Sequence, residues 1–312
     1  MLRHHRMHFL YPISAVIILI SLVEGLVLAR GRAGKQDWRA TGVSILDLIG
    51  RHLVALVPFS VTQLLFDLAW EHRVATIPLQ GALAFATLFI GQEFCYYWYH
   101  RAAHRVRWFW ATHAVHHSPN ELNLSAAYRL GWTGKLTGNA IAFVPLVWLG
   151  FRPEVVSFTL TINLLYQFWI HATWIPRLGW LEYVLNTPSA HRVHHASNLE
   201  YLDANYGGVL IIFDRLFGTY KPERGEVPCR YGLVTPVTTH NLLWIEFHVW
   251  VGMFRDLIRA RSPREVVGYL FAPPGWLPDG NGDTTEDLRR RAAAGPVAGS
   301  AGDFARPPVP SG

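Results

Sequence analysis

The stretch that decides the fold is Tyr99–His117, with the sequence YHRAAHRVRWFWATHAVHH. It contains two histidine patterns, His-x-x-x-His at His100 and His104 and His-x-x-His-His from His113 to His117. Side chains three and four residues apart share one face of a helix, so each pattern predicts a helix with its imidazoles on one side. We therefore expect an all-α fold that brings histidines together.

The second pattern recurs as HRVHH at His191–His195, and His171 stands alone between the two copies. Two chance copies in one chain are expected on the order of once in a thousand sequences of this composition. Each triplet is expected to present its three imidazoles to one point. The candidate metal ligands are His100, His104, His113, His116, His117, His171, His191, His194 and His195.

The number of histidines bears on the metal. Imidazole suits zinc, copper, iron and nickel, and nine converging rings exceed what one ion accepts, so the pattern implies two metals. The chain has no His-Glu-x-x-His, which disfavours a metallopeptidase. Two irons that activate O2 at a membrane surface fit best. A zinc-dependent membrane hydrolase and a non-catalytic metal-binding protein stay open as alternatives.

The composition indicates a membrane protein. Of the 312 residues, 51% are hydrophobic and only 16% are charged, against about 25% charged residues in soluble domains. The run Phe9–Ala29 is long enough to cross a hydrocarbon core of about 30 Å. A signal peptide is the alternative, but no small-x-small cleavage site follows the run, which favours a retained helix.

Further apolar runs predict the rest of a transmembrane stem. Two more spans are expected at Leu53–Trp70 and Ile77–Tyr99, and a short helical hairpin at Leu136–Phe151 and Val155–Ile170. The run Leu242–Ile258 is either an interfacial helix or a plain packed helix. The predicted fold class is an all-α integral membrane protein, with a transmembrane helical stem and a cytosolic, histidine-rich di-metal cap.

Four segments follow from this organisation. They are N-terminal transmembrane helices at 1–75, a catalytic domain at 76–225, an interfacial helical region at 226–280 and a flexible tail at 281–312. Within the tail, 296–312 is rich in Gly, Pro and Ala and is expected to be disordered.

Lysine and arginine set the expected orientation. The loop after the first apolar run carries more of them than the N-terminus, which places that loop in the cytoplasm. With the further spans counted, every histidine cluster then faces the cytoplasm. The excess of Arg over Lys indicates a GC-rich bacterial genome, so we expect the bacterial cytoplasmic membrane.

The charge balance limits the partners. The formal charge of +6 comes from 28 Lys and Arg against 22 Asp and Glu, without a nucleic-acid-binding motif, so the basic residues are expected to face anionic lipid rather than nucleic acid. Cys95 and Cys229 form no CxxC and no disulfide framework. Four arginines could dock an acidic electron donor or attract headgroups: Arg101, Arg105, Arg107 and Arg192.

At its histidines the chain resembles the fatty acid hydroxylase/sterol desaturase superfamily of integral-membrane di-iron oxygenases. The resemblance is most specific in HRVHH at 191–195, YLDANYGG at 201–208 and DRLFGTY at 214–220. It is similar to the bacterial members and to the alkylglycerol monooxygenase-like branch. The resemblance implies two Fe ions, O2 as co-substrate, and hydroxylation or desaturation of a lipid such as a fatty acyl chain, an ether lipid or a sterol.

The resemblance also raises the question of what surrounds the metals. Histidine ligands need outer partners that orient them, and the candidates are Glu93, Asp203, Asn205 and Asp214. Some relatives carry a further histidine where this chain has Ile175, and His240 or His248 could replace it. The chain has no Gly-x-Gly-x-x-Gly, P-loop or His-Pro-Gly-Gly motif. Electrons are therefore expected from a separate ferredoxin, cytochrome or reductase.

Overall fold

The computed structural model describes residues 2–31 and 36–294, and the regular structure of this part of the chain is helical throughout, as predicted. Short 3-10 turns lie at Leu124–Tyr128, Asn139–Phe143 and Gly179–Tyr183. The α-helices are α1 (Leu2–Arg30), α2 (Trp38–Ala55), α3 (Val61–Glu71), α4 (Gly81–Arg105), α5 (Arg107–His117), α6 (Gly134–Thr137), α7 (Val144–Leu149), α8 (Pro153–Trp169), α9 (Pro188–His194), α10 (Ile212–Leu216), α11 (Leu242–Arg259), α12 (Pro263–Phe271) and α13 (Thr285–Ala293).

Within the described residues, one helical segment is long and apolar enough to cross a membrane, Pro12–Arg30 of α1. Its apolar side chains are largely exposed, as a lipid-facing helix requires. The same helix is bonded to the rest of the chain through buried polar groups. The Glu24 carboxylate accepts the backbone N–H of Leu124 at 2.7 Å, and the Ser21 hydroxyl lies 2.9 Å from that of Tyr128. These contacts support a retained helix.

The second predicted span, Leu53–Trp70, is wrong as a single helix. Helix α2 ends at Ala55 and α3 begins at Val61. Pro58 disfavours the helical conformation for the residue before it, and the Ser60 hydroxyl caps α3 by accepting the N–H of Gln63 at 3.2 Å.

The remaining predicted spans also differ from single apolar helices. The run Leu136–Phe151 divides into α6, a 3-10 turn and α7, because Gly138 is left-handed at φ +75°. Helix α8 matches the second arm of the hairpin within two residues. Helix α4 contains most of the third predicted span, but it buries Gln92 and Glu93 and continues to Arg105.

An apolar core supports the histidine-bearing end of α4. Four side chains that are at most 1% exposed pack in one cluster: Leu88 on α4, Phe143 before α7, Val147 within α7 and Val156 on α8. This packing aligns α4 with α8, whose C-terminal ends lie near the histidines. The core therefore fixes the positions of His100 and His171, which lie at the C-terminal ends of α4 and α8.

The C-terminal third packs against the same region. Helix α11 packs through one face, where Trp250 is buried with its ring edge-on to Trp108 at 5.1 Å, and exposes apolar side chains such as Phe254 and Ile258 on the other. The segment predicted as a flexible tail from 281 is wrong at its start, where α13 begins in a capping box formed by Thr284 and Asp287. The stretch expected to be disordered, 296–312, lies outside the described residues.

Candidate metal centre

Three helices carry seven of the nine candidate ligands. Helix α4 holds His100 and His104, α5 holds the first triplet, and α9 holds most of the second. His171 and His195 lie just beyond the ends of α8 and α9. All nine side chains are at most 8% exposed, so the structure brings every candidate into one buried region.

The nine histidines form two groups, and within each group one nitrogen per ring lies within 4.8 Å of the others. We call them the five-histidine group and the four-histidine group. The five-histidine group is His100, His104, His113, His117 and His194, and the four-histidine group is His116, His171, His191 and His195. The groups are neighbours, because the rings of His117 and His195 stack at 4.4 Å between centroids.

The expectation that each triplet points to one site is wrong. His113 and His117 belong to the five-histidine group, whereas His116 between them belongs to the other. The second triplet is divided in the opposite sense, since His194 crosses to the five-histidine group. On a helix, positions i+3 and i+4 differ by about 100° in direction. Each triplet therefore serves both groups.

Several ring nitrogens of different histidines lie within hydrogen-bond distance of one another. Nε2 of His100 lies 3.0 Å from Nε2 of His113, and Nε2 of His191 lies 3.1 Å from Nε2 of His171. Nε2 is buried with no hydrogen-bond partner at three further rings, those of His104, His117 and His194. Buried polar atoms normally have partners. Converging nitrogens without partners are the donor set that metal ions would complete.

Backbone carbonyls orient four of the rings through hydrogen bonds at Nδ1. Four histidines contact such an oxygen through Nδ1: His100 with Tyr206 at 2.8 Å, His194 with Ala204 at 3.0 Å, His116 with Arg129 at 3.1 Å and His171 with Gln167 at 2.7 Å. A carbonyl only accepts, so Nδ1 carries the proton and Nε2 keeps the lone pair. This is the arrangement that holds metal-ligating histidines in place.

Burial favours the neutral form of these imidazoles. It lowers the pKa of His194 to about 3 and that of His116 to about 4, and lowers the pKa of the other seven well below the usual range. Metal ligation requires unprotonated nitrogen. The nine rings are therefore in the ligand-competent state at neutral pH.

Of the four predicted outer partners, Asp203 faces a histidine. Its Oδ1 lies 3.8 Å from Nδ1 of His104. Glu93 accepts the N–H groups of Val209 and Leu210 at 2.8 and 2.7 Å. Its carboxylate thus fixes the backbone that follows Gly207 and Gly208 rather than a ring.

Asp214 and Asn205 also act on backbone. The Asp214 carboxylate accepts N–H from Tyr206 and Gly207, each at 2.7 Å. The Asn205 amide donates to the carbonyl of Ala190 at 2.9 Å and so joins its loop to α9. Both residues position the segment whose carbonyls contact the histidines.

The proposed substitute ligands lie elsewhere. His240 is bonded to Asp37 at 3.1 Å, and Nδ1 of His248 contacts carbonyls on its own helix. At Ile175, where some relatives carry a histidine, the backbone carbonyl accepts from Arg192 at 2.7 Å. None of these positions belongs to either group.

The predicted basic docking surface is largely neutralised within the chain. Arg107 pairs with Asp256, and Arg192 pairs with Glu223 at 2.6 Å. Arg105 bridges two carboxylates, and Arg101 lies over the Trp98 ring and donates to the Tyr97 hydroxyl at 3.0 Å. These arginines mainly support the fold around the histidines.

Sequence reasoning missed the support of His116. Asp47 on α2 accepts the N–H of Leu130 at 2.9 Å, and Glu246 on α11 accepts that of Trp132 at 3.0 Å. The two carboxyl groups thereby hold the segment that follows Arg129. Burial and the neighbouring Asp47 raise the pKa of Glu246, which favours its neutral form. No spacing in the sequence links these three distant segments.

Comparison with known proteins identifies the class. The model of the family described as fatty acid hydroxylase matches residues 85–219, which include all nine histidines. A Dictyostelium discoideum protein assigned by name to the methylsterol monooxygenases is 30% identical over 203 residues, 59% of this chain and 70% of that protein. The chain belongs to the fatty acid hydroxylase family, within the fatty acid hydroxylase/sterol desaturase superfamily.

Among its relatives are alkylglycerol monooxygenases. The human protein is 37% identical over 268 residues, which cover 86% of this chain and 59% of that protein. Ornithine lipid hydroxylase OlsE of Rhizobium tropici is 32% identical over 145 residues, 46% of this chain and 44% of that protein. The chain spans about half the length of the alkylglycerol monooxygenases it matches. No solved structure matches the chain.

Proposed function

We propose that this protein is an O2-dependent di-iron oxygenase that hydroxylates or desaturates a C–H bond of a membrane lipid. The observation that carries the proposal is the pair of adjacent, buried histidine groups, whose nitrogens converge without other partners. Membership of the fatty acid hydroxylase family supports it.

The nine histidines are the proposed ligands, five for one iron and four for the other. Neutral imidazole is a good ligand for iron, and two neighbouring groups suit two ions. When bound, the two irons would supply the activation of O2 and the removal of hydrogen from an unreactive carbon. The chain contributes orientation through Nδ1, and its burial of all nine rings excludes bulk water from the centre.

The donor set disfavours the zinc hydrolase. Hydrolysis at zinc needs an activated water and a general base beside it. In the part of the chain that the structure describes, both groups consist of histidines alone. A sensor or store would need no lipid, whereas the named relatives are lipid hydroxylases and monooxygenases.

An ether lipid of the alkylglycerol type is the first substrate to test, because the human relative with that name covers 86% of this chain. Ornithine lipids and methylsterols follow from the names of other relatives. We propose that α1 anchors the protein in a bacterial cytoplasmic membrane with both groups towards the cytoplasm. A separate ferredoxin, cytochrome or reductase would supply the electrons.

The test is aerobic turnover of the detergent-solubilised, iron-loaded protein with 1-O-hexadecylglycerol, an ornithine lipid or a methylsterol, using NADH, ferredoxin and a ferredoxin reductase. Mass spectrometry with labelled O2 should show one labelled oxygen atom added to the lipid, or two hydrogens lost. The His248→Ala variant is the matched control, because His248 lies outside both groups. Turnover that continues without O2, in a protein holding one zinc per chain, would contradict the proposal.

A further inference from the structure

The segment Asp203–Tyr206 contacts three members of the five-histidine group. The carboxylate of Asp203 faces His104 at 3.8 Å. The carbonyl of Ala204 accepts from His194 at 3.0 Å, and that of Tyr206 accepts from His100 at 2.8 Å. The carbonyls found behind His116 and His171 come from other segments, so this loop is specific to one group.

The loop has a conformation that needs external support. Asp203 and Asn205 are left-handed, at φ 56° and 59°, on either side of Ala204. Asp and Asn adopt this region more readily than other residues, but it still costs energy. Such a conformation persists where the surrounding contacts fix it.

Arg105 and α13 add to the contacts that Asp214 and Asn205 make at this loop. Arg105 donates to Asp203 at 2.7 Å and pairs with Glu286 of α13 at 2.6 Å. Arg289, one turn further along α13, donates to the carbonyl of Leu202 at 2.8 Å. The C-terminal helix therefore reaches the Asp203 side chain through Arg105 and bonds directly to the backbone at Leu202, the residue before the loop.

We propose that α13 and Arg105 are positioning elements for the five-histidine group: they hold Asp203–Tyr206 in its left-handed conformation and so hold the rings of His100, His104 and His194. The proposal rests on metal binding by that group, which belongs to the proposed function, but on neither the reaction nor the substrate. Arg105 is suited to this role because it follows His104 directly and its guanidinium can bind two carboxylates at once.

The geometry makes the effect selective. Helix α13 supplies no histidine, and the four-histidine group is oriented by the carbonyls of Arg129 and Gln167, whose side chains bond other helices. Loss of the α13 contacts should weaken metal binding by the five-histidine group and leave metal binding by the four-histidine group unchanged. A general loss of stability would instead weaken both.

The test uses Co(II) as the probe, followed by its visible absorption, in full-length protein. The His171→Ala background reports the five-histidine group, and the His113→Ala background reports the four-histidine group. In the first background, Glu286→Gln and Arg289→Ala should each weaken Co(II) binding, with about 10–100-fold as the usual range for outer-shell contacts. In the second background neither substitution should change the affinity for Co(II).

Two further variants complete the test. Arg290→Ala is the matched control on the same helix, because Arg290 bonds Asp287 and the Gly280 carbonyl rather than the loop. Arg105→Lys keeps the charge and should recover part of the affinity lost in Arg105→Ala. Equal weakening in both backgrounds, or none in either, would overturn the proposal. Failure of lipid turnover with these Co(II) results intact would count against the oxygenase proposal alone.

Discussion

The two histidine groups share their helices but differ in what supports them. The five-histidine group depends on one strained loop, Asp203–Tyr206, held from outside by Arg105 and α13. The four-histidine group is supported at separate points, by the carbonyls of Arg129 and Gln167. Interleaved ligands therefore do not imply a shared support, and each group can be disturbed on its own.

The support of the four-histidine group is also more deeply buried. Arg129 donates to the Ser44 hydroxyl at 3.1 Å and to the Ala40 carbonyl at 2.7 Å, so its main chain is tied to α2. Arg105, by contrast, is 30% exposed. The five-histidine group should accordingly be the more sensitive of the two to changes at the surface.

Removal of one ligand should have the largest effect. His194→Ala and His191→Ala each remove an imidazole, from the five- and the four-histidine group respectively. We expect either variant to lose about one metal per chain and to lower turnover by more than about 100-fold, beyond the range of outer-shell changes. Metal analysis and turnover of the membrane fraction measure this. Wild-type turnover in His194→Ala would show that the reaction does not need the second triplet.

Acidification should disturb both groups together. Burial lowers the pKa of His194 to about 3 and of His116 to about 4, against about 6.5 in an unfolded chain. The unfolded state of the metal-free protein thus binds more protons as the pH falls below about 6.5, so the free energy of unfolding falls with pH. We expect a lower Tm at pH 5 than at pH 7.5. An unchanged Tm across that range would contradict the burial of neutral rings.

Asp214→Ala should affect the five-histidine group selectively. It leaves the buried N–H groups of Tyr206 and Gly207 without their acceptor, at a cost of about 1–3 kcal/mol for each unsatisfied group. It also removes a contact that positions Tyr206, whose carbonyl orients His100. Thermal denaturation and Co(II) binding in the His171→Ala background measure both effects, and Asp214→Asn, which keeps an acceptor, should be milder.

The smallest effect is expected at Glu246. Because burial and the neighbouring Asp47 raise its pKa, we expect the side chain to be a neutral acid, so that Glu246→Gln keeps both the charge and the acceptor for Trp132. The Gln variant should be close to wild type, whereas Glu246→Ala should cost about 1–3 kcal/mol through the unsatisfied N–H of Trp132. A Gln variant as unstable as the Ala variant would show that Glu246 is ionised.

The sequence predicted the parts that depend on side-chain identity and spacing. The nine histidines, the all-α class and the family follow from the motifs at His100–His117 and His191–His195. Their division into groups depends on the relative rotation of α5 and α9, which spacing within one helix does not define. Backbone carbonyls such as that of Ala204 leave no residue-type signal at all.

The second predicted span is wrong as a single helix for a related reason. The run Leu53–Trp70 is largely apolar, but Pro58 and the cap at Ser60 divide it. Apolar composition records the environment of a segment and not its conformation. In the same way, the start of the segment predicted as a tail forms α13, because Glu286 pairs with Arg105 and Arg289 donates to the Leu202 carbonyl across the fold.

The central claim is that two metals are bound, one by each histidine group. It is tested most directly by iron quantification and Mössbauer spectroscopy of the purified protein, in the wild type and in the His113→Ala and His171→Ala variants. The account predicts two irons per chain in the wild type and one in each variant, with different spectra because different groups survive. A single zinc per chain, or loss of all metal in both variants, would contradict it.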